Sequence, residues 1–130
     1  MNQSETFLTF NNGVLAVPNY TKEFSDIPWT QHPAFEGVEL KHIVTAQDTD
    51  GQFSYHLVKI AANKSILNHI HDKKLETHEV IGGSGTCVNA GQTIPYLPGT
   101  LSIMPAGIEH EVVAGDDGLY LFAKFFPALS

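Results

Sequence analysis

Apolar and polar residues alternate along much of this chain with a period of two, in short stretches separated by glycine, proline and asparagine. Successive side chains of a strand point to opposite faces, so the pattern predicts half-buried β-strands. Residues 6–10 and 14–18 read as strands on either side of an Asn11-Asn12-Gly13 turn. Residues 20–35 are less regular, and Pro28 and Pro33 predict an ordered arm there rather than a sheet interior. Further strands are predicted over 38–46, 52–60, 66–71, 76–81, 86–89, 101–104, 110–114 and 119–126. Turns are predicted at 48–51, at Asn63 and at Gly82-Gly83-Ser84-Gly85. About ten short strands without a helical period predict an all-β sandwich or barrel. The last predicted strand is largely apolar on both faces, with Leu119, Leu121, Ala123 and Phe125 on one and Tyr120, Phe122, Lys124 and Phe126 on the other. One face is expected to fill the barrel and the other to meet a second subunit or lie under the N-terminal arm.

Composition narrows the class. The 130 residues show no repeat and no linker, which predicts one domain: an N-terminal arm over 1–36 and a barrel over 37–130. Hydrophobic residues at 42% and charged residues at 16% argue against disorder. Cys87 is alone, so no internal disulfide can staple the fold. The net charge of −7 repels polyanions, and Lys73–Lys74 is the one adjacent basic pair, so nucleic acid is not an expected partner. No apolar run approaches the roughly 20 residues of a membrane span. The opening MNQSETFLTF does not read as a signal peptide, so a cytoplasmic location is expected.

The seven histidines carry the chemistry. His69 and His71 are two apart and share a strand face. The polar loop 72–75 can reverse the chain and bring Glu76 beside them, with His78 and Val80 on the same face of the returning strand. Two imidazoles and a carboxylate form half of a site for a divalent ion. Downstream, Pro105-Ala106-Gly107 predicts a sharp turn that sets His110 at the start of an inward-facing strand with Val112.

These residues resemble the two motifs of the cupin superfamily. His69-x-His71, four residues, Glu76, six residues and Gly83 match the first. Gly99, five residues, Pro105-Ala106-Gly107, two residues and His110 match the second. Two positions depart: Asn63 stands for the opening glycine and Ala114 for the closing asparagine. Asparagine tolerates the left-handed backbone that glycine supplies, and neither departure touches a ligand position. The resemblance implies a double-stranded β-helix, or jelly-roll, barrel with one divalent transition metal ion inside (Fe, Mn, Ni, Co, Cu or Zn), held by His69, His71, Glu76 and His110. It also implies a homodimer.

Around that centre, His78 is the first candidate for proton transfer, because it shares a face with Glu76. His56 lies opposite Lys59 in alternation and is expected in the substrate pocket. Tyr96, just before the second motif, is expected at the cavity mouth. Cupins host many functions, so the fold does not choose one. The full ligand set predicts a metal-dependent enzyme, of dioxygenase, isomerase or lyase type, acting on a small oxygen-rich molecule such as a diketone, hydroxy acid or uronate. The alternative is a non-catalytic module that binds or senses a small molecule such as a sugar.

Overall fold

The computed structural model describes residues 5–129. Helix α1 (Glu5–Asn11) leads into a hairpin of β1 (Val14–Val17) and β2 (Tyr20–Glu23), a single 3-10 turn, and the short β3 (Thr30–Gln31). Strand β4 (Val38–Val44), the one-turn α2 (Ala46–Thr49), β5 (Ser54–Ile60) and β6 (Ser65–His69) follow. The chain closes with β7 (Leu75–Asn89), β8 (Gln92–Tyr96), β9 (Leu101–Met104) and β10 (His110–Phe126). The expected all-β jelly-roll is the fold observed. No helix of the described residues is long and apolar enough to cross a membrane.

Two long strands organise the barrel. β7 and β10 pair antiparallel from His110↔Asn89 to Phe126↔Leu75. The first half of β10 also pairs with β6 and its second half with β5. The first half of β7 pairs with β9 and its second half with β8. The β7–β10 ribbon therefore passes from one sheet to the other and belongs to both.

The bend comes from glycines, and here the structure corrects the sequence reading. Gly82-Gly83-Ser84-Gly85 does not end a strand, and 110–114 and 119–126 are not separate strands. The ladder instead jumps from Ala114↔Gly85 to Leu119↔Gly83 across a bulge. Gly83 has φ +74°, and a Cβ built on it would lie 2.1 Å from the Gly118 carbonyl oxygen. The glycines let two backbones touch while both continue, which in sequence looks like a reversal.

The barrel core contains Val58, Val80, Val112, Leu119, Leu121 and Phe125, all buried. A second cluster, with Phe7, Phe24, Ile43, Leu57 and Phe122, lies on the outer face of β4, β5 and β10. This cluster corrects the prediction of a strand over 6–10. Phe7 lies 4.7 Å from the Tyr120 ring, and Phe10 lies 5.1 Å from Phe122. Residues three apart share a face on a helix and oppose each other on a strand, so docking both rings on one sheet demands a helix. The arm thus covers the second apolar face of the last strand. β8 is a strand outside those predicted from the pattern, and its Pro95 is tolerated because β8 ends the sheet order.

Substituting Gly83→Ala would force a side chain into the Gly118 carbonyl at a left-handed backbone angle. A loss of at least about 2 kcal/mol in urea unfolding is expected. An unchanged midpoint would show that the corner is not close-packed.

Candidate metal centre

His69 ends β6 directly across from His110, the first residue of β10. Their rings are 4.2 Å apart between centroids. His71 lies two residues past the end of β6 rather than on it. Its carbonyl accepts the Gly107 N–H at 3.0 Å, so the Pro-Ala-Gly turn of the second motif pins the second histidine of the first. Glu76 lies on β7 between Phe125 of β10 and Met104 of β9 and is 5% exposed.

One ligand atom from each of His69, His71, Glu76 and His110 lies within 4.8 Å of the other three. Glu76 Oε1 is 3.1 Å from His110 Nε2 and 3.5 Å from His71 Nε2. Oε1 and His110 Nε2 are both buried, and neither has a hydrogen-bond partner. Close approach without hydrogen-bond geometry is what two lone pairs aimed at a shared ion require, since a buried orphan otherwise costs about 1–3 kcal/mol. His69 Nδ1 donates to the Leu67 carbonyl at 2.8 Å, which leaves the lone pair on Nε2. Burial lowers the pKa of His69 and His71, which favours the neutral form that ligation requires. Burial opposes charge on Glu76, but His78 and His110 beside it outweigh burial and hold the carboxyl well below the usual carboxylate range. The donor set therefore fits a divalent transition metal ion.

The other predicted residues fall in different places. His78 is 2% exposed and lies on the cavity wall, but both its nitrogens are engaged. Nε2 donates to Glu76 Oε2 at 2.6 Å, and Nδ1 accepts from the Tyr96 hydroxyl at 2.9 Å. Both nitrogens are thus held by protein groups in this arrangement. Tyr96 is not at the cavity mouth but fully buried behind His78. Burial, with Cys87 adding to it, pushes the Tyr96 hydroxyl up in pKa, so it stays a donor.

His56 is inside the barrel, as alternation required, while Lys59 lies outside over the Trp29 ring at 4.1 Å. Both His56 nitrogens are also engaged. Nδ1 is 2.7 Å from His42 Nδ1, and Nε2 is 2.8 Å from Ser54 Oγ, which accepts the Leu129 N–H. His42 and His32 were not singled out in the sequence. His42 meets His56 through the β4–β5 register, and His32 enters the cavity wall from the arm. Neither cross-strand register nor arm placement is readable from a motif.

The cavity beside the cluster measures about 140 Å³. Its wall carries five histidines together with Leu40, Val58, Ile66, Leu121, Phe125 and Leu129.

The barrel is similar to solved cupin structures. It matches a predicted oxalate decarboxylase from Thermotoga maritima with a TM-score of 0.73 at 19% identity, over 79% of this chain and 95% of that one. It matches KdgF from Halomonas sp. at 0.70 and 17%, over 79% and 88% of the two chains. An RmlC-like cupin from Shewanella frigidimarina matches at 0.70 and 15%, over 100% and 97%. At such identities the likeness defines the fold, that of the cupin superfamily. No curated protein sequence matches the chain. The family model of the AraC-like ligand binding domain matches residues 54–124, more than half of the chain, and the chain belongs to that family.

Burial, and then the neighbouring His42, push the His56 pKa down to about 4, while Glu76 acts in the opposite sense. A histidine held neutral in the fold contributes fully above its unfolded pKa of about 6.5, and that stability drains away as the pH falls toward 4. In chelator-treated protein the loss should be on the order of 3 kcal/mol. Urea unfolding of the wild type and of His56→Gln across this range checks it: the variant should show the flatter profile, and parallel profiles would contradict the assignment.

Proposed function

We propose that this cupin is a metal-dependent enzyme acting on a small oxygen-rich molecule, with a divalent transition metal ion held by His69, His71, Glu76 and His110. The observation that carries this reading is the buried pair Glu76 Oε1 and His110 Nε2, which face each other at 3.1 Å with no hydrogen bond to either. When bound, such an ion supplies Lewis acidity, and redox chemistry if it is iron. On a six-coordinate ion, four protein ligands leave two positions for a chelating molecule, whereas on tetrahedral zinc they would fill the site.

The chain's own groups do the rest. His78 is a positioning residue: it fixes Glu76 Oε2 and so turns Oε1 toward the histidines, and Tyr96 fixes the His78 tautomer in turn. Leu121 and Phe125 line the wall and exclude water, which strengthens every charge interaction inside. Similarity to proteins called a predicted oxalate decarboxylase, a polyketide cyclase and an ectoine synthase supports an enzymatic use of this barrel. The second reading is a binding module without turnover. It is favoured by the family match and by the engagement of both nitrogens of His56 and His78.

Metal analysis of protein purified without chelator or nickel affinity is expected to give one ion per chain. His71→Ala should lose it, and unchanged metal content and activity in that variant would defeat the proposal. His78→Phe should retain the ion with affinity reduced about 10–100-fold, read by chelator competition. Incubation with pooled diketones, hydroxy acids and unsaturated sugars separates the two readings: product marks an enzyme, and stoichiometric retention without product marks a binding module.

The expected homodimer forms a second part of the proposal. The face of Tyr120 and Phe122 lies under α1, but Leu101 and Ile103 project from β9 at 63% and 56% exposure. Light scattering should give twice the chain mass, and Leu101→Glu with Ile103→Glu should halve it. A monomeric wild type would refute the dimer.

A further inference from the structure

The cavity has an unusual balance of charge. The chain contains no arginine. None of its lysines lines the cavity. Lys22 pairs with Asp48, Lys59 with Glu39, Lys64 with Glu36 and Lys124 with Glu79. Lys41 and Lys74 donate to the carbonyls of Phe24 and Ala128. With the ion assigned above, the fixed charge at the site is two positive from the metal and one negative from Glu76. One further negative charge is balanced there, and a second would find no cation in the cavity lining, since Lys74, which acts on His71, stays outside it on the Ala128 carbonyl.

Hydrogen-bonding capacity on the wall is equally limited. The ligand histidines and Glu76 serve the ion. His56 and His78 have both nitrogens bonded within the protein. His32 is the exception. Its Nδ1 accepts the Ala34 N–H at 3.0 Å, so the proton of the neutral ring sits on Nε2. Nε2 has no partner among the described residues, and the ring lines the cavity against Phe35, 4.7 Å away. At about 140 Å³ the space is below the roughly 300 Å³ of ordinary ligand pockets.

We infer that the site takes a small bidentate oxygen chelator that is neutral or singly charged, with an apolar body, one of its two oxygens also accepting from His32 Nε2–H. A β-diketone, taken up as its enolate with the proton released to solvent, is the simplest such molecule. This rests on the metal reading above and selects within it. A dicarboxylate carries a second charge that the cavity lining does not balance, and a uronate, like a sugar, is set apart by its hydroxyls rather than its charge. A sugar carries several hydroxyls that would lose water and find one partner.

The test is calorimetric titration of protein as purified, with its metal content measured on the same sample. Acetylacetone and malonate are matched probes, since both chelate through two oxygens across three carbons and differ in charge and methyl groups. Arabinose is the third probe. Acetylacetone should bind at least about tenfold tighter than malonate or arabinose. His32→Phe should weaken acetylacetone about fivefold to tenfold with metal content unchanged. If the metal is retained and malonate or arabinose binds as tightly, if no probe binds, or if His32→Phe leaves affinity unaltered, the inference is overturned and the metal reading stands. Protein that holds no metal overturns both.

Discussion

The structure depends on one pairing, that of β7 with β10, and on the ability of this ribbon to curl. Glu76 pairs with Phe125 near one end of the ladder, and His110 pairs with Asn89 at the other. In a flat ribbon those two positions would be roughly 40 Å apart. In the barrel, Glu76 Oε1 and His110 Nε2 are 3.1 Å apart. The glycine corner, where Gly83 approaches the Gly118 carbonyl, is where both strands bend together and bring the two ends of the ribbon face to face. A backbone property in mid-strand therefore assembles a side-chain cluster at the barrel's end.

The cluster is held from behind as firmly as from its backbone. Tyr96 on β8 grips His78, and His78 grips Glu76, so an edge strand determines which carboxylate oxygen faces the imidazoles. On the opposite wall His42, His56, Ser54 and the Leu129 amide satisfy one another. These networks use up polar groups that would otherwise be available to a guest. What they leave is an apolar chamber with its charge concentrated at one point, a low-dielectric setting in which that charge acts strongly.

Fold class and ligand positions were legible because each is written in spacing. Alternation marks the strands, and the spacing of His69, His71, Glu76 and His110 resembles the two cupin motifs, a resemblance that implied the set the structure brings together. The rest depends on contacts that no local pattern records. Phe7 and Phe10 fit a short strand or one face of a helix equally well, and only the rings of Tyr120 and Phe122 decide between them. A run of glycines reads as a turn unless a second strand runs beside it. Tyr96 reads as a candidate at the cavity mouth until the β7–β8 register, Gly85↔Tyr96, buries it behind His78. His78 is correctly placed on the wall by alternation, but alternation says nothing of who holds its nitrogens.

All seven histidines gather at one end of the barrel: five on the cavity wall, His110 in the cluster and His42 bonded to His56. None decorates a remote surface. Imidazole resonances in a magnetic resonance spectrum, or the kinetics of a histidine-selective acylating reagent, consequently carry no background from elsewhere in the molecule. The protein has a built-in set of spectroscopic reporters for a single chamber.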